Sequence, residues 1–350
     1  MHILEVILIL GILVLVHELG HFLAAKSIKI PVKQFALGFG PALFSRRWGE
    51  TEMRLNALPL GGYCAFADDQ EEDEKEENPI DPSLMLRNRG WWERAYVISA
   101  GVICNFVLAY FVLVAMVAFV GITTPKPGIL VGNLLPQMPA IQSGLKTGDT
   151  VLRVNEKEIK TGQDFIDTIL ANSKKPVTLF VQREGKPIQI KVVPNQYGKI
   201  GVGIQSRFET RRVKYFYEPW IQGAIQQKEM TISLLEGLGQ LVTGKLPLSQ
   251  VGGPIEIVNI GSKVAQADQS NLFAFTALIS IELAIVNFLP LPALDGGLLL
   301  LLLIEAVRRR RLPVHMEAVL NQAGLYLLLG LGLLLIVKDL VGIIRPMLRI

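Results

Sequence analysis

The sequence predicts a polytopic α-helical membrane protein with four transmembrane helices, a membrane-associated β-hairpin or small sheet, and one αβ domain outside the bilayer. Three observations predict it. The 350 residues are 50% hydrophobic with a mean hydropathy of +0.39, too apolar for an ordinary soluble chain, yet 19% are charged, too many for a wholly buried bundle. Long apolar runs stand near both ends. Between them lies a stretch of about eighty residues with strand and helix periodicity, enough for one modest core.

The first run, Ile3 to Ala25, is long enough to cross a bilayer and stops at Lys26. It lacks a basic n-region and is read as a retained helix rather than a signal peptide. Inside it stands His17-Glu18-Leu19-Gly20-His21, an HExxH pattern. On a helix the two imidazoles lie one turn apart on one face, where they can share a metal, and Glu18 lies beside that face. An ionisable residue at the centre of a membrane helix costs about 2.5–3.5 kcal/mol on insertion scales, so three together need a shared reason. Zinc supplies one, with Glu18 as general base and acid for peptide hydrolysis. The plainer alternative is an interfacial helix end with polar residues near the headgroups.

Next come short strand-like segments with Gly and Pro turns, Phe35 to Pro41 and Thr51 to Tyr63. Their edge, at Asn56, Ala57, Leu58, Pro59 and Leu60, is a candidate to pair with an extended substrate backbone. Residues 68–77 are strongly acidic and read as a solvated loop. A second span runs from Tyr96 to Ile122 behind the interfacial anchors Trp91, Trp92 and Arg94, closing a first membrane part at 1–122. Residues 123–208 carry the αβ pattern, with strands at Ile129 to Val131, Val151 to Val154, Val177 to Val181, Ile188 to Val193 and Ile200 to Ile204, and a helix at Gln163 to Ala171. Residues 209–271 read as an amphipathic helical segment at the membrane surface. The last part, 272–350, holds a third span, broken at Asn287 to Gly297 and resuming to Ile304, and a fourth at Ala323 to Val337. Broken helices persist in membranes only where the freed backbone is buried or lines a cavity.

A catalytic zinc site needs a third protein ligand, and Asp295 is the candidate. It lies in the broken span, short of Arg308 to Arg311, as His21 lies just short of Lys26, so both sit toward one side. The alternative is that Asp295 merely caps the helix that restarts there. Asn287, in the same break, is a candidate donor to the scissile carbonyl or substrate backbone. The basic residues after spans one and three place those loops in the cytoplasm, and both termini and the αβ domain outside. The net charge of +4 is read as this orientation signal and not as a nucleic-acid surface. Cys64, assigned to a loop, and Cys104, in span two, form neither a disulfide framework nor a zinc motif.

Taken together, His17 to His21, the Asn287 to Gly297 stretch (N-x-x-P-x-P-x-L-D-G-G) and Pro59-Leu60-Gly61-Gly62-Tyr63 resemble the site-2 protease family of intramembrane zinc metalloproteases over nearly the whole chain. Ser143 to Asn155 is similar to the G-L-x-x-G-D core of that family's circularly permuted PDZ domain, with Gly128 and Ile129 as candidate peptide-binding residues. The resemblance implies a multi-pass protease of the bacterial inner membrane with a periplasmic PDZ domain that filters or senses substrates. These would be single-pass proteins already cut on the periplasmic side, including anti-sigma factors in stress responses, and signal-peptide remnants. Three departures stand out. There is one PDZ domain where well-known members have two, Leu298 stands where a His often follows D-G-G, and Ala100-Gly101-Val102-Ile103-Cys104-Asn105-Phe106 lacks the Pro of A-G-P-x-x-N-F. Two other readings are a membrane-anchored PDZ scaffold with a vestigial metal site and an ion transporter, since broken helices with carboxylates also line ion paths.

Overall fold

The computed structural model describes residues 2–67, 81–247 and 251–347, leaving aside the side chains of Pro59, Leu60, Ile343, Arg345, Pro346 and Met347. The acidic run 68–77 lies outside the described residues. The chain divides into two compact units, Met1–Phe119 with Tyr215–Ile350, and Val120–Lys214.

In the first unit, α1 (His2–Ser27) and α2 (Trp91–Val120) are uninterrupted and long and apolar enough to cross a membrane. On α1, Val6, Leu13, His17, Gly20, His21 and Ala24 are buried along one stripe, while Ile3, Leu8, Ile12 and Leu23 are exposed as lipid would require. Between these helices β1 (Val32–Trp48) and β2 (Thr51–Phe66) form a sheet whose register is used twice. Residues 34–37 are paired on both sides, with 52–55 and with 62–65, while 44–48 fold back on 51–55 as a hairpin. Cys64 therefore lies in a strand and not in a loop, and the two cysteines are not joined in a disulfide.

After the second unit the chain enters α5 (Glu218–Val242), α6 (Pro254–Ala267) and α7 (Asn271–Asn287). At 17 residues α7 is apolar but short. A tight non-helical segment separates it from α8 (Asp295–Arg308), and α9 (Val314–Met347) is the third helix of spanning length, through Gly342. Arg94 of α2 and Glu305 of α8 form an ion pair at 2.6 Å, nearly out of solvent, and Glu305 also accepts the backbone N–H of Leu312 at 2.7 Å. That carboxylate ties the α8 to α9 turn to the start of α2.

The second unit is a sheet in the order β7-β6-β4-β3-β8, built from β3 (Ile122–Leu134), β4 (Thr150–Val154), β6 (Val177–Arg183), β7 (Lys186–Val192) and β8 (Val202–Arg211), with the short β5 (Lys157–Glu158) paired to β4. The four-residue α3 (Pro139–Gln142) and the amphipathic α4 (Gly162–Ala171) complete it. Thr161 and Asp164 close a reciprocal capping box at the start of α4. Alternate residues of the strands bury Ile129, Val151, Leu179, Val181 and Ile190 with Phe165 and Ile169 of α4. Gly144 and Gly148 have φ of 83° and 90°, a conformation other L-residues enter only at a cost, which explains both glycines of the G-L-x-x-G-D pattern.

Candidate metal centre

The periodicity of α1 puts His17 and His21 on its buried stripe, with rings meeting edge to face. Each ring is held through Nδ1. His21 Nδ1 donates to the backbone carbonyl of Val97 at 2.9 Å, which leaves its Nε2 lone pair free. His17 Nδ1 lies 3.3 Å from the side-chain amide of Asn105, a fully buried residue of α2. As placed, the amide nitrogen faces the ring and Asn105 Oδ1 has no partner among the described residues. The two ends of an amide have the same shape, and exchanging them puts Oδ1 on a His17 Nδ1–H without losing a hydrogen bond. Both histidines then present bare Nε2 atoms inward.

Asp295 completes the group. It is the first residue of α8, the residue before it is Leu294, and no side chain caps this helix, so Asp295 is not spent as a cap. Its Oδ2 lies 3.2 Å from His17 Nε2 and 3.3 Å from His21 Nε2, and the two Nε2 atoms are 3.3 Å apart. This oxygen is buried and makes no hydrogen bond of acceptable geometry among the described residues. A tetrahedral ion with bonds of about 2.0–2.1 Å separates its ligands by about 3.3–3.4 Å. The donor set of two imidazoles and a carboxylate, its spacing and the orphaned oxygen all fit zinc.

Close backbone approach makes the convergence possible. A Cβ on Gly101 would stand 2.3 Å from His21 Nε2 and 2.8 Å from His17 Cε1, so only glycine lets α2 pass this close to both rings. A Cβ on Gly296 would meet the carbonyl of Phe288 at 2.1 Å, and one on Gly297 that of Leu291 at 2.0 Å. The pair lets the segment after α7 fold flat against the start of α8, which carries Asp295 inward.

Glu18 lines a cavity of about 600 Å³ together with His17, His21, Asp295 and Asn287. It hydrogen-bonds the backbone at Cys64, and a Cβ on Gly62 would touch its Cγ at 3.4 Å, so β2 runs directly past the carboxylate. The Asn287 amide nitrogen stands 3.4 Å from His17 Nε2, within the same cluster.

Other expectations are redirected. Asn56 is buried inside the sheet, paired with Ala42, and its amide donates to the Gly38 carbonyl at 2.9 Å. It is a pin of the fold, and neither it nor Ala57 nor Leu58 lines the cavity, whereas Tyr63, Cys64 and Phe66 do. Pro59 and Leu60 fall among the side chains not described. In the second unit, Gly128 and Ile129 sit in β3, which has strands on both sides, and Ile129 is fully buried; the open edges are β7 and β8. Sequence reasoning passed over Gly101 and Asn105 as working residues. Their signal was available, since they are four residues apart on one face of an apolar helix, and an asparagine in a span asks for a partner.

Comparison with known proteins gives this cluster its context. The profile described as peptidase family M50 matches residues 5–331. A cyanobacterial protein of Nostoc sp. named "Putative zinc metalloprotease all3971" is 44% identical over 351 residues, covering 97% of this chain and 96% of its own. "Membrane metalloprotease ARASP, chloroplastic" of Arabidopsis thaliana is 38% identical over 352 residues, covering 96% of this chain and 78% of its own. Among solved structures, the PDZ domain of an SdrC-like protein from Listeria monocytogenes covers 23% of this chain and 90% of its own at 21% identity, with a TM-score of 0.22. By the extent of the family match and these identities, the chain belongs to peptidase family M50, the site-2 protease family, and is a zinc metalloprotease.

Proposed function

We propose that this protease hydrolyses peptide bonds in or beside the transmembrane segments of single-pass membrane proteins, with His17, His21 and Asp295 holding zinc and Glu18 as general base and acid. The observation that carries the reading is the triangle of His17 Nε2, His21 Nε2 and Asp295 Oδ2 at 3.2–3.3 Å, beside Glu18, on a helix apolar enough to lie in a bilayer. When bound, zinc supplies the Lewis acidity that makes water nucleophilic near neutral pH and polarises the scissile carbonyl. Glu18 takes the proton of the attacking water and returns it to the leaving amine. The Asn287 amide donates to the substrate backbone, and the Nδ1 anchors of Val97 and Asn105 hold the two rings in the tautomer that leaves Nε2 bare.

A substrate helix buries its carbonyls in internal hydrogen bonds, so it unwinds before it is cut. The unwound stretch lies along residues 62–66 of β2, whose β1 partner occupies one flank while Glu18 stands at the other. Segments rich in small or helix-destabilising residues are cut fastest. α7 and α8 act together as one broken span beside α1, α2 and α9, giving four spans. Both termini and a PDZ-like unit at 123–208 face the periplasm, and the membrane is the bacterial inner membrane. That unit restricts access to proteins already trimmed on the outer side, with anti-sigma factors and signal-peptide remnants as substrates.

The test is cleavage of a detergent-solubilised single-pass substrate by wild type and by Glu18→Gln, each with its zinc content measured. The variant is expected to retain zinc and lose about 10²–10⁴-fold in rate. Loss of zinc by the variant, or unchanged cleavage, removes Glu18 from the role.

A further inference from the structure

Away from the metal cluster, a second and smaller cavity of about 200 Å³ opens where α2 begins and α8 ends. Its lining is overwhelmingly cationic, with Arg89, Arg94, Arg309, Arg310 and Arg311 against the single carboxylate of Glu305. That carboxylate is already committed to Arg94 at 2.6 Å. Arg311 donates to the side chain and carbonyl of Asn88, and Arg89 to the carbonyls of Ile28 and Lys29. These bonds are to neutral acceptors and leave the positive charge in place, although Arg89 also stands 3.5 Å from Glu93. Arg309 and Arg310 are exposed, and no acceptor for either occurs among the described residues.

Two further features turn this cluster toward a ligand. Arg309 closes α8 in the left-handed region at φ 53°, a position where glycine is preferred and other side chains carry a steric cost. The turn at Arg309 leaves residues 309–311 at the same rim as Gly90 and Trp91 of the α2 start. Gly90 and Trp91 bring the positive end of a 30-residue helix to the same rim. Trp91 and Trp92 stack at 3.7 Å and are 46% and 70% exposed, as aromatic residues are at a membrane–water boundary.

We infer that this cavity binds a phosphate group, gripped by Arg309 and Arg310 over the α2 N-terminus, with the phosphate of an anionic lipid headgroup as the source its position favours. Guanidinium forks match phosphate oxygens two at a time, and basic pockets between membrane helices suit lipid headgroups. The volume is below the roughly 300–1,000 Å³ of cavities that enclose drug-sized ligands, so a headgroup phosphate fits and a nucleotide does not. The inference is independent of the proteolytic reading. A bare orientation signal needs only charge, and lysine would serve it equally; a phosphate fork needs arginine.

The experiment uses the full chain in nanodiscs of phosphatidylcholine with or without phosphatidylglycerol, followed by native mass spectrometry to count retained lipids. Wild type is compared with R309Q/R310Q and with the charge-preserving R309K/R310K. Wild type is expected to retain phosphatidylglycerol in preference to phosphatidylcholine. The glutamine variant should hold it about thirtyfold more weakly, the lysine variant should fall between, and zinc content and helicity should stay unchanged. A parallel arm measures thermal shift by inorganic phosphate in lipid-free neutral detergent. A shift there that vanishes in R309Q/R310Q, without phosphatidylglycerol retention, keeps the phosphate site and assigns it to soluble phosphate compounds. Equal retention by wild type and the glutamine variant, or neither lipid preference nor phosphate shift in wild type, overturns the proposal.

Discussion

Asp149 of the αβ unit and Asp295 of the membrane unit are both largely out of solvent, and the two are treated in opposite ways. Asp149, in the αβ unit, is 1% exposed and fully engaged: Arg183 Nε donates to Oδ1 and Arg183 Nη2 to Oδ2, both at 2.7 Å, and the Lys146 N–H donates to Oδ2 at 2.8 Å. Around it the core is aliphatic with one aromatic ring. Asp295, in the membrane unit, keeps Oδ2 without a hydrogen bond among the described residues, facing two imidazole nitrogens. A buried polar atom left open costs about 1–3 kcal/mol. Where such an atom faces bare ring nitrogens, the cost has been accepted for a ligand; where both oxygens are met, the carboxylate serves the fold.

The largest effect that would break this contrast comes from Gly101→Ala. Its Cβ would sit 2.3 Å from His21 Nε2, so zinc content and cleavage should both fall to background, with amide exchange in the αβ unit unaltered; a variant that kept its zinc would show that the rings have room to spare. Asn105 comes next. Asn105→Leu should weaken zinc binding about 10–100-fold, and Asn105→Asp, which keeps an acceptor for His17 Nδ1–H, should recover much of it, as read by competition with a chelator. If the two variants bind zinc alike, Asn105 is packing only. In the αβ unit, Gly148→Ala places an alanine at φ 90°, with nothing within 4 Å of its Cβ. It should cost roughly 1–2 kcal/mol of local stability by hydrogen exchange and nothing in zinc content.

The smallest effect is in pH. Burial pushes the Asp149 carboxyl up, but its hydrogen bonds from Arg183 and Lys146 outweigh burial and hold it below the usual carboxylate range. Its stabilisation is therefore complete above the unfolded value of about 3.9 and drains away as pH falls through the lower folded value. Hydrogen exchange at Leu179 and Val181 should accelerate, relative to the intrinsic rate, below about pH 4 in wild type. In Arg183→Gln this drop should shift upward in pH.

The elements with a local signature were legible in the sequence. The apolar runs mark α1, α2 and α9 because a bilayer needs length and little else, and the alternating strands with a capped helix mark most of the αβ unit. The nearness of His17, His21 and Asp295 could be anticipated from their common depth beside basic residues. What failed depends on pairing at a distance. Asn56 looks like an edge residue until 34–37 is found paired on both sides, and Gly128 and Ile129 look accessible until β8 covers β3. No local pattern encodes strand order. Gly101 and Asn105 mark one face of α2 in the sequence, but which rings that face meets is set by the packing of α2 on α1 and not by the span itself.

The glycine contacts behind Asp295 also have a mechanical meaning. Gly324 of α9 leaves no gap to Pro292, where an added Cβ would stand 2.3 Å from the carbonyl oxygen, and Gly297 leaves none to Leu291. Backbone presses on backbone at both points, with no side chain between them to change rotamer and absorb a displacement. The segment between α7 and α8 thus behaves as an incompressible shim. A slide of α9 along its axis would either open these contacts or carry the segment that ends at Asp295 with it.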